Sequence, residues 1–258
     1  MSESQTVKLP AGKSTQSRAE RIRILVVLIF GHANTHWYIG LMAPILPLIA
    51  RDLDLSFTQI GLLLTLRSIG ASLGGATGGV FTDIIGKRKP VLVINIFMMG
   101  VMYAWMGYAT NLTVLLFPFL MTGFLNSGWH PPAMSALSNT FPNRRGFALG
   151  LHGSGASLLQ SLAPLLVGYA LIFFNWRAVL KVHFFPGLVS SGLLLFLLPP
   201  LVASVSGSVR KYSSRISLSF KENPAILGVA VLSCLRTMSY RTLDSFLPLY
   251  LAFHFGMS

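Results

Sequence analysis

Acidic residues are scarce in this chain, which carries 7 Asp and Glu against 20 Lys and Arg in 258 residues. Charged residues of both signs make up 10% of the sequence, well below the roughly 25% of a typical soluble domain. Hydrophobic residues make up 53%, so there is too little charge to cover a water-exposed surface. This composition excludes an ordinary soluble domain and indicates a protein surrounded by lipid.

Two further scarcities narrow the class of protein. The single cysteine, Cys234, has no partner for an internal disulfide. The glycine-rich P-loop that cradles nucleotide phosphates does not occur, so we expect no direct coupling to ATP within these residues.

Long apolar segments recur along the whole sequence. About 20 apolar residues suffice for a helix to cross the hydrocarbon core of a bilayer. Seven such segments occur, at 24–48, 57–82, 90–109, 113–140, 147–173, 178–202 and 225–252. We therefore predict an all-α polytopic membrane protein, and we number these spans one to seven in chain order.

Basic residues are distributed unevenly between the loops that join the spans. They cluster before span one and in every second loop after it: Lys8, Lys13, Arg18, Arg21, Arg23, Lys87, Arg88, Lys89, Arg144, Arg145, Arg210, Lys211, Arg215 and Lys221. The opposite loops contain Arg51 and Arg177. Cytoplasmic loops carry the excess of Lys and Arg, so we predict a multi-pass protein of the cytoplasmic membrane with a cytoplasmic N-terminus. A nucleic-acid partner is not expected, because the long solvent-exposed segments that it would need are missing.

A short charged hairpin, Asp83–Lys89, joins spans two and three. Upstream of it Gly70, Gly74 and Gly78 recur every four residues, which predicts a face of small residues along the helix. The stretch Gly79–Arg88 resembles the G-x-L-A-D-R-x-G-R-R loop between the second and third helices of major facilitator superfamily transporters. The resemblance covers nearly the whole chain and implies a secondary transporter with an N-terminal six-helix bundle.

In that family the hairpin is thought to latch one conformation of the transporter. The residues to which this role would fall are Gly79, Asp83, Gly86, Lys87 and Arg88. Ile84 departs from the pattern, since arginine is usual at that position. A plain basic turn without a role in transport is the alternative.

The resemblance also predicts how the chain is organised, because these transporters have two six-helix halves. Leu46-Pro47-Leu48 in span one is echoed 201 residues later by Leu247-Pro248-Leu249 in span seven, as parallel repeats would produce. We expect one complete half and the first helix of the next, so that the chain is truncated after its seventh helix. The expected parts are a cytoplasmic tail (1–20), a six-helix transmembrane bundle (21–203), a cytoplasmic linker (204–223) and the seventh helix (224–258), which starts an incomplete second bundle.

Three stretches bear on the direction of transport. Gly31–Gly40 and Gly128–Ala133 resemble the first helix and the His-Pro element of fosmidomycin-resistance-type efflux proteins, although His36 stands where that group tends to carry aspartate. The glycine-rich span five, with Pro164, partly resembles the signature of antiporters. These resemblances favour efflux of a small organic solute slightly over its uptake.

Five polar residues within the spans are candidates for the pathway of the substrate or of a coupling ion. Arg67 lies about ten residues into span two, where an ionisable side chain is costly unless it faces a cavity or a partner. His32 and His36 share one face of span one, and Asn126 and His130 share one face of span four, because each pair is four residues apart. An Arg67 that reaches the membrane edge and buried histidines without a transport role are the alternatives.

Two other functions stay open from the sequence. Histidines of two spans could ligate a haem in a membrane electron carrier, although the hairpin and the Leu-Pro-Leu echo would then have no role. The chain could also be a half-transporter remnant that does not transport. On the transporter interpretation, its partners are a small-molecule substrate, membrane lipids and a coupling proton. The same interpretation implies a protein that is not an enzyme, with no catalytic residues, no cofactor and no metal.

The uneven charge predicts which loops face the cytoplasm. Reporter proteins fused after residues 20, 110 and 258 should report the inside, the outside and the outside, because an excess of basic residues is retained in the cytoplasm. A reporter pair with one member active on each side of the membrane measures this. A cytoplasmic signal after residue 258 would contradict seven crossings.

Overall fold

The computed structural model describes residues 16–201 and 225–255, and α-helices dominate both ranges. The helices are α1 Arg18–Gly40, α2 Met42–Asp52, α3 Phe57–Ile85, α4 Arg88–Met106, α5 Leu112–Thr140, α6 Arg145–Phe173, α7 Trp176–Val182, α8 Phe184–Leu197 and α9 Ala225–His254. The expected linker, 204–223, lies outside the described residues, as does most of the expected tail.

Six segments within the described ranges are long and apolar enough to cross a membrane. The first combines α1 and α2, the next four are α3, α4, α5 and α6, and the last combines α7 and α8. This confirms the predicted all-helical membrane fold. Helix α9 forms where span seven was predicted but is not one of the six, so the seventh crossing stays a prediction.

Local sequence determines both ends of α3. At its start the backbone N–H of Ser56 donates to Gln59 Oε1 at 2.8 Å, and the N–H of Gln59 donates to Ser56 Oγ at 3.3 Å. This reciprocal pair satisfies N–H groups that the helix itself cannot bond. At the other end Gly86 has a φ of 70°, which glycine adopts without strain. The charged hairpin therefore turns sharply after α3.

Glycines bring α3 and α5 into backbone contact. A Cβ atom added at Gly70, Gly74 or Gly78 would meet a backbone carbonyl of α5, and one added at Gly123 of α5 would meet the carbonyl of Arg67. The predicted face of small residues is thus the surface that packs against α5. Such close approach is how helices associate within a bilayer, where the hydrophobic effect between them is absent.

Two other pairs of helices complete the bundle. Helix α1 lies against α6, where a Cβ on Gly40 would meet the backbone of Gln160. Helix α4 lies against α8, where a Cβ on Gly100 would come within 3.1 Å of the Cα of Gly187. The first span is interrupted at Leu41, which ends α1 and precedes α2. The paired helices leave space between α1, α2, α3, α5 and α6.

Helix α9 meets the other described helices at the end of α2 and the start of α3, where the ring centroids of Phe57 and Phe253 lie 5.5 Å apart. Arg51 Nη2 donates to the backbone carbonyl of Ala252 at 2.5 Å, and the guanidinium lies 5.4 Å from the ring centroid of Phe253. Ala252 belongs to the last turn of α9, whose carbonyls have no partner within the helix. Arg51 and Ala252 are 201 residues apart, like the two Leu-Pro-Leu segments. The bond therefore joins two positions with the same separation as the Leu-Pro-Leu segments, and the repeat itself stays a prediction.

The contact between α3 and α5 generates a matched pair of variants. Gly74→Ala should destabilise the protein by about 1–3 kcal/mol, because the new methyl group collides with rigid backbone. Gly75→Ala should be tolerated, since its Cβ would lie 3.8 Å from the nearest atom, the Cβ of Ser127. Thermal unfolding in detergent measures both. Equal melting temperatures for the two variants would contradict the backbone contact.

Candidate functional site

A cavity of about 300 Å³ lies between α1, α2, α3, α5 and α6. Apolar side chains form much of its wall, and its polar groups come from two helices. Helix α3 contributes Arg67, and α6 contributes Ser157, Gln160 and Ser161. The volume is at the small end of the range for pockets that bind small molecules, and a few polar groups in an apolar wall are typical of them.

Arg67 is half-buried in the wall of this cavity. Its backbone carbonyl packs against Gly123, so the glycine contact between α3 and α5 determines where the side chain starts. The guanidinium is close enough to the phenol of Tyr103 for an electrostatic interaction. Among the described residues, no carboxylate forms an ion pair with Arg67. Its charge is therefore directed at the cavity rather than neutralised by an acidic neighbour.

Four histidines from three helices pack together beside the cavity, and we call His32, His36, His130 and His152 the histidine cluster. The ring centroid of His32 lies 4.6 Å from that of His36, 4.9 Å from that of His130 and 3.9 Å from that of His152. His32 and His152 are buried, with 5% and 3% of their surfaces exposed. The cluster thus joins α1, α5 and α6 within the bundle.

Hydrogen bonds orient two of these imidazoles. His36 Nδ1 lies 2.7 Å from Gln160 Oε1, and His32 Nδ1 lies 3.0 Å from the backbone carbonyl oxygen of His152. A carbonyl oxygen can only accept a hydrogen bond, so Nδ1 is the donor in both pairs. In the neutral form each ring then keeps a lone pair on Nε2. Because Gln160 also lines the cavity, His36 connects the cluster to the cavity wall.

The structure brings most of the predicted pathway residues together. His32, His36 and His130 lie in the cluster and Arg67 lies in the cavity wall. Asn126 is buried on α5, one turn before His130, and within the described ranges its Nδ2 has no hydrogen-bond partner.

Sequence reasoning missed two members of this region, His152 and Gln160. The ring of His152 stacks on that of His32. One signal could have identified it. His152 shares one face of α6 with Ala148, Ala156 and Ala163, and all four residues are buried. This face meets α1, where Ala163 lies against Gly40.

The packing of the rings does not support the haem alternative. Axial histidines bind iron from opposite faces of a porphyrin, which requires a planar gap between the two rings. His32 instead contacts its three neighbours edge to face or stacked. His183 lies elsewhere, at the junction of α7 and α8, where its ring centroid is 6.0 Å from that of Trp37.

In the hairpin, Arg88 turns towards the protein interior. With 3% of its surface exposed, it donates from Nη2 to Ser135 Oγ on α5 at 3.0 Å, and it interacts electrostatically with Asp83. Its backbone N–H donates to the carbonyl of Leu201 at 2.9 Å. Lys87 is exposed. Arg88 therefore connects the turn to α5 and to the residues that follow α8.

Comparison with known proteins relates the chain to transporters. An uncharacterized transporter of Buchnera aphidicola subsp. Schizaphis graminum is 25% identical over 228 residues, which are 87% of this chain and 55% of that protein. The glucose transporter GlcP of Staphylococcus epidermidis is 27% identical over 164 residues, 63% of this chain and 35% of that protein. A bicyclomycin resistance protein homolog of Haemophilus influenzae is 28% identical over 158 residues, 58% of this chain and 38% of that protein. The chain spans about half the length, or less, of these relatives.

The fold is similar to that of a solved membrane transporter. A bacterial homolog of the human lysosomal transporter Spinster, in an inward-facing and unoccupied conformation, superposes with a TM-score of 0.72. The match covers 94% of this chain and 57% of that chain, at 18% sequence identity. The family model of the Major Facilitator Superfamily matches residues 28–258. This chain belongs to the major facilitator superfamily.

Proposed function

We propose that the protein works as a secondary transporter, not an enzyme, and moves a small organic solute across the cytoplasmic membrane by alternating access. The observation that carries the proposal is the cavity between α1, α2, α3, α5 and α6, whose wall combines apolar side chains with Arg67 and Gln160. Transporters of this kind bind their substrates near the bilayer midplane, where their two halves meet, and this cavity would form the wall that the first half contributes. Family membership supports the same conclusion.

Within this cavity we assign the role of anion binding to Arg67. A guanidinium keeps its charge and presents a planar fork that matches a carboxylate or phosphate. Arg67 meets the cavity without an ion-pair partner among the described residues, which leaves the fork for a solute. A small organic anion is therefore the class of substrate that we propose.

The histidine cluster is the proposed site of a coupling ion, for which the sequence suggests a proton. His36 is hydrogen-bonded to Gln160 of the cavity wall, so an ion at the cluster and a solute in the cavity would act on the same two helices. Asn126, one turn from His130, is the remaining polar residue assigned to this pathway.

Efflux is slightly favoured as the direction of transport. It rests on the resemblance of Gly31–Gly40 and Gly128–Ala133 to the fosmidomycin-resistance-type branch. The relatives give mixed support, since one is a bicyclomycin resistance protein homolog and another a glucose transporter. The N-terminus lies in the cytoplasm in this proposal, because the basic loops then face inside.

For the hairpin we propose the role of a conformational latch, with Asp83 and Arg88 at its centre. The buried guanidinium of Arg88 holds Ser135 of α5 and interacts with Asp83 of α3. The latch thus joins two helices of the bundle at their cytoplasmic ends. Gly79, Gly86 and Lys87 complete the loop, and Gly86 provides its left-handed turn.

Replacing Arg67 tests the anion site. In membrane vesicles that contain the natural gene product, transport of a panel of labelled small organic anions identifies the substrate. Arg67→Lys and Arg67→Gln should both lower that transport about tenfold or more, because neither side chain can make the two parallel hydrogen bonds that a guanidinium makes to an anion. If Arg67→Lys transports normally, a point charge suffices and the two-bond grip is wrong.

The matched control for this experiment is Ser68→Ala. Ser68 is the next residue of α3, is exposed, and bonds its hydroxyl to the backbone carbonyl of Leu64. Removing this hydroxyl should leave transport unchanged. If Arg67→Gln also transports like the wild type, the anion site is rejected.

Neutralising the hairpin acid tests the latch. Asp83→Asn keeps the shape of the side chain and removes its charge, so it should slow transport while the amount of protein in the membrane stays the same. The control is Lys89→Gln, which also removes a charge from this turn but lies outside the stretch Gly79–Arg88 that resembles the family pattern. A basic turn without a latch role would give equal transport rates for both variants and the wild type.

A further inference from the structure

We propose that His32, His36 and His130 form a binding site for a divalent transition-metal ion of the Zn²⁺ class. The proposal rests on the proposed function in one respect, because it places a metal ion at the cluster that we assign to the coupling proton, where the sequence alone led us to expect no metal. The binding itself needs no transport and is measured separately.

The three side chains already converge. One imidazole nitrogen of each of His32, His36 and His130 lies within 4.8 Å of the other two. Around a tetrahedral Zn²⁺ ion with Zn–N bonds of about 2.0–2.1 Å, ligand nitrogens are about 3.3 Å apart. Small rotations of the imidazoles would bring the three nitrogens to this shorter separation without any movement of the helices, since side chains rotate more easily than packed helices move.

Hydrogen bonds prepare two of the rings for a metal. Nδ1 of His32 donates to the carbonyl of His152, and Nδ1 of His36 donates to Oε1 of Gln160. Metal-bound histidines typically donate their other nitrogen to a carbonyl or carboxylate, which holds the ring and raises its basicity. Both rings therefore have the tautomer that a ligand through Nε2 requires.

The buried nitrogen of His32 is a second, independent indication. Nε2 of His32 is inaccessible to water and has no hydrogen-bond partner among the described residues, although the side chain is 5% exposed overall. A buried polar atom without a partner is costly and calls for an explanation. A metal ion bonded to this nitrogen would satisfy it.

The ligand set selects the class of metal. Imidazole nitrogens suit Zn²⁺, Co²⁺, Ni²⁺ and Cu²⁺, whereas Mg²⁺ and Ca²⁺ prefer oxygen. Three nitrogens leave a fourth position for water or a solute atom, as in zinc sites with an open position. His152 is not part of the ligand set. Its ring stacks on that of His32, with an angle of 11° between the ring planes. Its backbone carbonyl instead accepts the hydrogen bond from Nδ1 of His32.

Cobalt provides the probe for the test. The natural gene product, purified in detergent through a tag that lacks histidine, is titrated with Co²⁺. We expect the visible absorption bands of tetrahedral Co²⁺, and we expect Zn²⁺ to abolish them by displacement. A wild-type protein that shows no such bands and binds no Zn²⁺ at micromolar concentration would overturn the proposal without any variant.

The variants locate the site. His32→Gln, His36→Gln and His130→Gln should each weaken Co²⁺ binding at least tenfold, and Gln160→Ala should weaken it about 10- to 100-fold, because it removes the bond that orients His36. His183→Gln is the matched control, since His183 is also a buried, hydrogen-bonded histidine, with Nδ1 2.6 Å from the carbonyl of Val179. Equal affinity in His36→Gln and His183→Gln would place the metal elsewhere and reject the site.

Metal binding and transport can fail independently. If Co²⁺ binds through the three histidines while their variants transport normally, the metal site stands and the coupling role falls. If transport depends on these histidines but no metal binds to the wild type, the coupling role stands and the metal site falls.

Discussion

The backbone contact between α3 and α5 is the constraint on which the described bundle depends. Carbonyl groups of each helix sit where a side chain would otherwise be, so the pair admits glycine and little else at Gly70, Gly74, Gly78 and Gly123. Within a bilayer such contacts replace the hydrophobic effect, because lipid tails are as apolar as the helix surfaces. Arg67 lies on α3 and His130 lies on α5. The contact between the two helices therefore determines the distance between these two residues.

A second constraint follows from the low dielectric of the membrane interior. Polar groups there must find partners within the protein, since water does not supply them. The bundle meets much of this demand by grouping its polar side chains, although Nε2 of His32 and Nδ2 of Asn126 have no hydrogen-bond partner among the described residues. His36 bonds to Gln160, His32 bonds to the backbone of His152, and Arg67 faces the cavity. The polar side chains of the interior thus form one connected region and are not isolated from one another.

Much of the fold was predictable from the sequence, and the reason is that hydropathy is a local property. Long apolar runs and the charge of the loops indicated the six spans that form, and the four-residue spacing of Gly70, Gly74 and Gly78 indicated a packing face. The spacing of His32 and His36 likewise indicated a shared helix face, which holds because it depends on one helix alone.

Contacts between helices were less accessible from the sequence. That His152 stacks on His32, that Gln160 bonds to His36 and that Ser135 receives a bond from Arg88 all depend on which helices pair. Pairing is decided by small residues on two helices at once, and no pattern within one helix reveals its partner. The cluster of four histidines therefore emerges only when α1, α5 and α6 are placed together.

The bond from Arg51 to the last turn of α9 has a consequence for how the sequence can change. Its acceptor is the main-chain carbonyl of Ala252, which every amino acid possesses. A positive side chain at this end also complements the negative pole of the helix dipole. Substitutions at position 252 can therefore accumulate without loss of the bond, provided that the helix ends there. A substitution of Arg51, the donor, would instead remove the bond directly, so the two ends of this contact differ in how much sequence change they tolerate.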